Sequence, residues 1–438
     1  MIVQITLANY RSIHTEQTLS FVAERGTRHK DNLISRPGYR LLKAAALFGA
    51  NASGKSNFVR AIGEMRDFVR DSATKMNDGD PIVCAQPYRL DPESRTAPSR
   101  FEITFVTDGV QYVYGFAATR ERVHEEWFTA TRENSNAKLF DFQRSTDRTQ
   151  GTLLFKASGF DQSIGNLLVA RTRDNALALS TAARENVKEL LPAYRYLREY
   201  VSMLDMSGAI ESLFREATRR CKGDGEMLQQ AISLLRDADT GIENIEIDPV
   251  SLADILALAT DVSPDQKDLI MAANRFTNPN FGMRVASSRQ DTLGNAVEFD
   301  FVQDESRGTN RFFTSAVFLL DALQEGAFLV IDELDASMHP LLTRRLLEMF
   351  QSPNANPNGA QLLFTTHDAV LLDSALFRRD QIILAEKRGG ASIFYSLADI
   401  EPPIRSTESF LRNYLAGRYG GTPHLGRTFE ELEMTPVK

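Results

Sequence analysis

The sequence predicts an α/β fold: a head with a mixed sheet, an N-terminal β-rich lobe and a helical insertion. Three observations carry this. "KAAALFGANASGKSN" reads as a buried strand, a glycine loop and the start of an amphipathic helix that continues through "FVRAIGEMRDFVRDSA". The first third is otherwise rich in short apolar or alternating runs. The last third alternates strand and helix, "AFLVIDE", "PLLTRRLLEMF", "QLLFTTHD", "DQIILAEK", as expected of a parallel sheet with crossover helices.

In chain order, "MIVQITLAN" and "QTLSFVAE" open the β-rich lobe. "FEITFVTDGVQYVYGFAATR" is two apolar and aromatic runs around Asp108-Gly109, a hairpin signal. From about Ser180 to Asp239 the texture turns helical, in "AARENVKELLPAYRYLREYVSML" and "GEMLQQAISLLRDA". Without sustained heptads, this stretch reads as an insertion rather than a coiled-coil arm. Strands return at "FGMRVASSR" and "NAVEFDFVQ". The expected division is therefore 1–175, with the glycine loop and β-rich lobe; 176–278, the helical insertion; and 279–438, the remainder of the head.

Composition narrows the class. The chain has 438 residues, 42% apolar and 25% charged, and no apolar run of the roughly 18 residues that span a membrane. The N-terminus lacks the pattern of a secretory signal. Cys84 and Cys221 are the only cysteines, which excludes a disulfide framework and fits a cytoplasmic protein. The net charge of −8 disfavours a protein that coats nucleic acid through its whole surface, so any such contact must be local or belong to a partner.

Four stretches carry chemistry. In "GANASGKSN", glycines let the backbone approach a phosphate, and a helix N-terminus adds a favourable dipole. Gly49, Asn51, Ser53, Gly54, Lys55, Ser56 and Asn57 are the candidate nucleotide ligands. Lys55 reaches the β- and γ-phosphates and Ser56 a Mg²⁺ ion. In "FLVIDE", apolar residues place Asp332 and Glu333 at a strand end, where one carboxylate serves the metal and the next the attacking water. The paired acids and the missing Asn-Lys-x-Asp guanine reader favour ATP over GTP. In "LLFTTHD", His367 ends the following strand, within reach of the γ-phosphate or water. In "DESRGTN", Ser306 and Gly308 open a helix, either as a second anion-binding surface serving another subunit or as a plain turn with a cap.

These stretches, in this order, resemble the ABC-type ATPases of the SMC, RecF and OLD-like branch. The resemblance implies an ABC-type ATPase head that hydrolyses ATP with Mg²⁺. It makes Gly49–Ser56 Walker A, Asp332 the metal-binding Walker B acid, Glu333 the catalytic glutamate and His367 the switch histidine. Ser306 and Gly308 match a signature loop used in trans, although Glu305, Arg307 and Thr309 depart from the usual pattern. Gln86 falls where the family's glutamine loop supplies a Mg²⁺ or water ligand. Arg11 and Ser12 of "ANYRSI" fall near the base or phosphates, and Asp335 and His339 near the D-loop, where Met338-His339 departs from the common Leu-Asp. Together with "FLRNYLAGRYGGTP", the set is similar to stand-alone bacterial ATPases of anti-phage and abortive-infection systems, of the AbiL/RloA, PtuA and AriA type. That likeness implies a sensor or scaffold that self-assembles into a dimer or higher oligomer and controls a separately encoded effector, commonly a nuclease.

The competing reading is a RecF-like ATPase of DNA repair or chromosome maintenance that binds DNA directly. A transporter subunit is disfavoured by the degenerate signature. A nuclease activity of the chain itself is not expected: 71 residues follow His367, too few for a further Toprim domain beside the strands already there. Arg418 and His424 are separated by "YGGTP", which cannot hold them on one helix. Basic "REATRRCK", 215–222, is either a nucleic-acid contact or a solvated helix face.

Overall fold

The architecture was analysed in a computed structural model, which describes residues 1–26, 28–36, 38–133, 137–146, 153–208, 210–251, 263, 266, 280–404 and 408–423. His424 and the boundary at 278/279 lie outside these.

The first part contributes β1 (Ile2–Ala8), β2 (Gln17–Ser20), β3 (Leu33–Arg36), β4 (Tyr39–Leu42), β5 (Ala44–Gly49) and α1 (Lys55–Asp71). There follow β6 (Ser99–Thr107), β7 (Val110–Ala118), β8 (Val123–Arg132), β9 (Lys138–Thr146) and β10 (Leu153–Ser158). An antiparallel seven-stranded sheet of order β10-β9-β8-β7-β6-β1-β2 forms the β-rich lobe. The β6–β7 turn is Asp108-Gly109, both with positive φ (53° and 73°), the pair of conformations a two-residue hairpin needs.

Next come α2 (Gln162–Arg171), α3 (Ala178–Arg184), α4 (Leu191–Glu199), β11 (Val201–Asp205), α5 (Glu211–Gly223) and α6 (Gly225–Asp237). A small antiparallel sheet joins β12 (Asn244–Ser251), β13 (Asn280–Gln290) and β14 (Ala296–Asp300). The remainder is α7 (Arg307–Glu325), β15 (Phe328–Asp332), α8 (Pro340–Gln351), β16 (Gln361–Thr365), β17 (Ile382–Arg388), β18 (Ala391–Ser396) and α9 (Phe410–Leu415).

The central sheet has the order β11-β15-β16-β5-β17-β18, parallel except for the β17–β18 hairpin. Its inner strands β5, β15 and β16 are mainly apolar and buried throughout, because both faces are covered there. Ala45, Leu47, Val330, Leu363 and Ile383 face a core shared with α1, α4 and the β-rich sheet. Ala46, Phe48, Ile331, Phe364 and Leu384 face a second core under α5, α6, α7 and α8.

The stretch read as a helical insertion, 176–278, also contains the strands β11 (Val201–Asp205) and β12 (Asn244–Ser251). Helix α4 ends at Glu199, and Val201–Asp205 becomes β11, the outer strand beside β15. The apolar residues of "YVSML" fit both periods, so periodicity alone did not separate helix from strand. The surrounding helices are built into the head: α4 packs on α1, and α5 and α6 pack on α7. The basic run 215–222 lies in α5, where Arg219 and Arg220 pair with Glu216, and Arg220 also with Asp321 of α7.

A buried polar knot ties the β-rich lobe to α3. Glu126 accepts from the N–H groups of Ala178 and Leu179 at 2.7 and 3.0 Å and faces Arg144 at 3.6 Å. Arg144 donates onward to the carbonyls of Ala176 and Arg173. Burial pushes the Glu126 carboxyl up, against the pull of Arg144. Glu126→Ala leaves Arg144 charged and unpaired in the interior, so it is expected to cost about 3–5 kcal/mol. Urea unfolding of the variant against the parent measures this. A loss below about 1 kcal/mol would remove the knot from the main stabilising contacts.

Candidate nucleotide site

The C-terminal ends of β5, β15, β16 and β17 converge, and the loops leaving them build one cavity of about 620 Å³. Residues 51–57, Glu333, His367 and Lys387 line it. Ligand sites in open α/β sheets form at this strand end, where loops can gather functional groups.

The loop from β5 into α1 is shaped by its glycines. Gly49 has φ 152° and Gly54 φ 110°. A Cβ on Gly49 would meet the Ala385 carbonyl oxygen at 2.2 Å, and one on Gly54 would meet Ser392 Oγ at 2.1 Å. Only glycine lets the loop lie this close to β17 and β18. Gly54 caps α1, so the helix N-terminus opens into the cavity. Lys55 Nζ donates to Gly49 O at 2.7 Å and Ala50 O at 3.2 Å, beneath the loop. Burial lowers its pKa to about 8, although Asp332, Asp335 and Glu333 oppose this. Ser53 is buried and its Oγ has no hydrogen-bond partner.

The acids meet this loop directly. Ser56 Oγ lies 3.2 Å from Asp332 Oδ1, and Thr365 Oγ1 donates to the same carboxylate oxygen at 2.6 Å. Thr365 Oγ1 also accepts from the Glu333 N–H at 2.8 Å. Glu333 leaves β15 with φ 57°, a left-handed conformation costly for a residue with a Cβ. That turn aims its carboxylate into the cavity, where Oε1 stands 3.9 Å from His367 Nε2. The His367 N–H donates to Asp335 Oδ2 at 3.2 Å, so the segment after the acids is joined to the histidine.

A hydroxyl and a carboxylate 3.2 Å apart are hard oxygen donors suited to Mg²⁺. They lie beside a helix N-terminus that favours phosphate. The residues present therefore fit a Mg²⁺–nucleotide pair, with Ser56 and Asp332 as the protein oxygens that would hold the ion.

Other expected site residues lie elsewhere. Gln86 donates from its side chain to Val83 O at 3.0 Å and lines an adjoining cavity of about 440 Å³ with Arg11, Ser12 and Tyr88. It is not brought to Ser56 or Asp332. Arg11 reaches Glu64 at 3.3 Å. His339 caps α8, its Nδ1 accepting from the Leu341 N–H at 3.2 Å, and takes no part in the cavity lining. Ser306 caps α7 by accepting from the Thr309 N–H at 3.0 Å. Gly308 packs on the segment after the acids: a Cβ there would meet Ser337 O at 2.7 Å.

Some contributors escaped the sequence reading. Thr365 is the hinge between Asp332 and Glu333, two residues before the histidine. Lys387 is another such contributor; together with Asn57, an expected ligand, it lines both cavities, so the two adjoin there. Asn57 Nδ2 donates to Ser12 Oγ at 2.8 Å, and Ser12 Oγ lies 2.8 Å from Ser392 Oγ. Only "EK" at the end of an apolar strand hinted at Lys387.

Comparison with known proteins agrees with this geometry. The family described as "AAA domain, putative AbiEii toxin, Type IV TA system" matches residues 44–373, about three quarters of the chain. No curated protein matches the chain at a significant level. Among the described residues, no helix is long and apolar enough to cross a membrane. The matched span begins at the strand feeding the phosphate loop and runs past His367, so it takes in the loop, the acids and the histidine, while Lys387 lies beyond it. The chain belongs to this AAA-domain family and is a P-loop ATPase of the AAA/ABC type.

Proposed function

We propose that the chain hydrolyses ATP as the sensor or scaffold of a bacterial anti-phage system and controls a separately encoded effector. The observation that carries the hydrolytic part is the junction of Ser56, Asp332, Thr365 and Glu333 at the phosphate loop. Ser56 and Asp332 would hold a Mg²⁺ ion, which would supply neutralisation of phosphate charge. Lys55 turns from the Gly49 and Ala50 carbonyls to a phosphate oxygen. Glu333 orients the attacking water and accepts its proton, and His367 holds the γ-phosphate side of that water. The defence part is supported by the toxin named in the family's description and by the resemblance to stand-alone defence ATPases.

In this reading two heads close on two nucleotides, each offering Ser306 and Gly308 to the other's γ-phosphate. The exposed N-terminus of α7 supports it: Ser306 takes the Thr309 N–H, and the preceding N–H groups of Arg307 and Gly308 lie at the exposed helix start, where they favour an anion. Its packing against Ser337 links that surface to the chain's own acids. Ser306→Arg puts bulk and charge at the contact. It is expected to block ATP-dependent assembly while leaving single-head nucleotide binding within about twofold. Mass measurement in ATP, ADP and no nucleotide tests this. An unchanged mass in all three states for the parent would leave a constitutive assembly or an enzyme acting within one head. Co-expression with the neighbouring gene tests the effector: a complex that releases a nuclease on ATP turnover supports the proposal, and defence by this chain alone opposes it.

A further inference from the structure

The segment "FLRNYLAGRYGGTP" is not used by the site described above, yet it touches the phosphate loop. After α9 the chain turns back, and the Gly421 carbonyl accepts the N–H of Ala50 at 2.8 Å. Ala50 is the second residue of the loop. Its own carbonyl is held from within, by Ser53 N–H at 3.2 Å and Lys55 Nζ at 3.2 Å. The incoming limb is thus gripped on the cavity side by Lys55 and on the outer side by Gly421. When Lys55 turns to a phosphate, the outer contact remains.

The turn is itself braced. Tyr414 Oη donates to Gly421 O at 3.1 Å, and the Gly421 N–H donates to Glu386 Oε2 at 3.1 Å. Tyr395 Oη lies 3.0 Å from the same carboxylate oxygen and 2.9 Å from Tyr419 O. Partial burial raises the Glu386 carboxyl, but the Gly421 N–H and Arg388 hold it below the usual carboxylate range, so it stays an acceptor at neutral pH. Gly420 and Gly421 have φ 75° and 69°. A Cβ on Gly420 would meet Tyr395 Oη at 2.4 Å and Glu386 Oε2 at 2.6 Å. A side chain there is therefore strained twice, by backbone and by contact. Glu386 sits next to Lys387 on β17, and successive side chains of a strand point to opposite faces. One face braces the turn and the other lines the nucleotide cavity.

We infer that the Gly420–Gly421 turn is a strap that fixes the phosphate loop in its nucleotide-receptive shape, with Glu386, Tyr395 and Tyr414 as positioning residues. The inference rests on the nucleotide-site reading above. Ordering the loop on folding, not on binding, spares nucleotide affinity that cost.

The test uses the full chain as Gly420→Ala, Glu386→Ala and Glu386→Gln, with Ile103→Val in the β-rich lobe as a mild destabilising control. Amide exchange of the peptide holding Ala50 is read without nucleotide. Affinity is read with a non-hydrolysable ATP analogue, and turnover as KM against kcat. Gly420→Ala and Glu386→Ala are expected to speed Ala50 exchange and to weaken affinity about fivefold to tenfold, roughly the loss of one hydrogen bond. KM should rise by that factor, with kcat within about twofold. Glu386→Gln keeps an acceptor for the Gly421 N–H and is expected to restore most of both. If Gly420→Ala does not fold, the two Glu386 variants carry the comparison. Parent-like exchange and affinity in folded Glu386→Ala would overturn the strap. So would the same loss in Ile103→Val, or a Glu386→Gln no better than Glu386→Ala. A parent that binds no nucleotide analogue would refute the nucleotide reading instead, while the exchange data still decide whether the strap holds the loop.

Discussion

Lys55→Ala is expected to weaken ATP binding by about 10- to 100-fold, the scale of one hydrogen bond between charged partners. The ammonium lies beneath the phosphate loop with its pKa lowered to about 8 by burial, so little solvent must be stripped from it when it meets a phosphate. Alanine removes the charge and also the ties to the Gly49 and Ala50 carbonyls. Calorimetric titration with a non-hydrolysable analogue measures the loss. Affinity within twofold of the parent would place the phosphates somewhere other than this loop.

Glu333→Gln is expected to bind ATP as the parent does and to hydrolyse it about 10²- to 10⁴-fold more slowly, the usual worth of a positioned general base. The substitution keeps shape and keeps the backbone N–H that Thr365 accepts, so Asp332 and Ser56 remain in place. It removes only the carboxylate that faces His367. In the two-headed reading this variant also accumulates the closed ATP state, visible as a shift in mass. Turnover at the parent rate would remove Glu333 from its assigned role and turn attention to His367.

Much of the head was legible because its signals are local. Asp108-Gly109 announces a hairpin by backbone conformation alone. The spacing of Gly49, Gly54 and Lys55 encodes a loop whose backbone path its own glycines permit. Asp332, Glu333 and His367 end or follow β15 and β16, whose central residues are apolar since both faces of the sheet are buried there. What escaped depends on pairing across the chain. Val201–Asp205 is a strand because β15 offers it a partner 127 residues on, at Val201↔Phe328. Gln86 has the right type and place in order, but its side chain turns to Val83 O. His339 looks like a site residue and is a helix cap. Gly421 reaches Ala50 only because the chain returns after α9, a contact no local pattern encodes.

The central claim is that this chain hydrolyses ATP through the cavity at the end of β5. The most direct measurement is phosphate release from ATP by the parent and by Lys55→Ala, purified identically, with Mg²⁺ and with chelator. The account predicts release by the parent that needs Mg²⁺ and falls to background in the variant. Equal release from both proteins, or none from a folded parent that binds ATP, would contradict it.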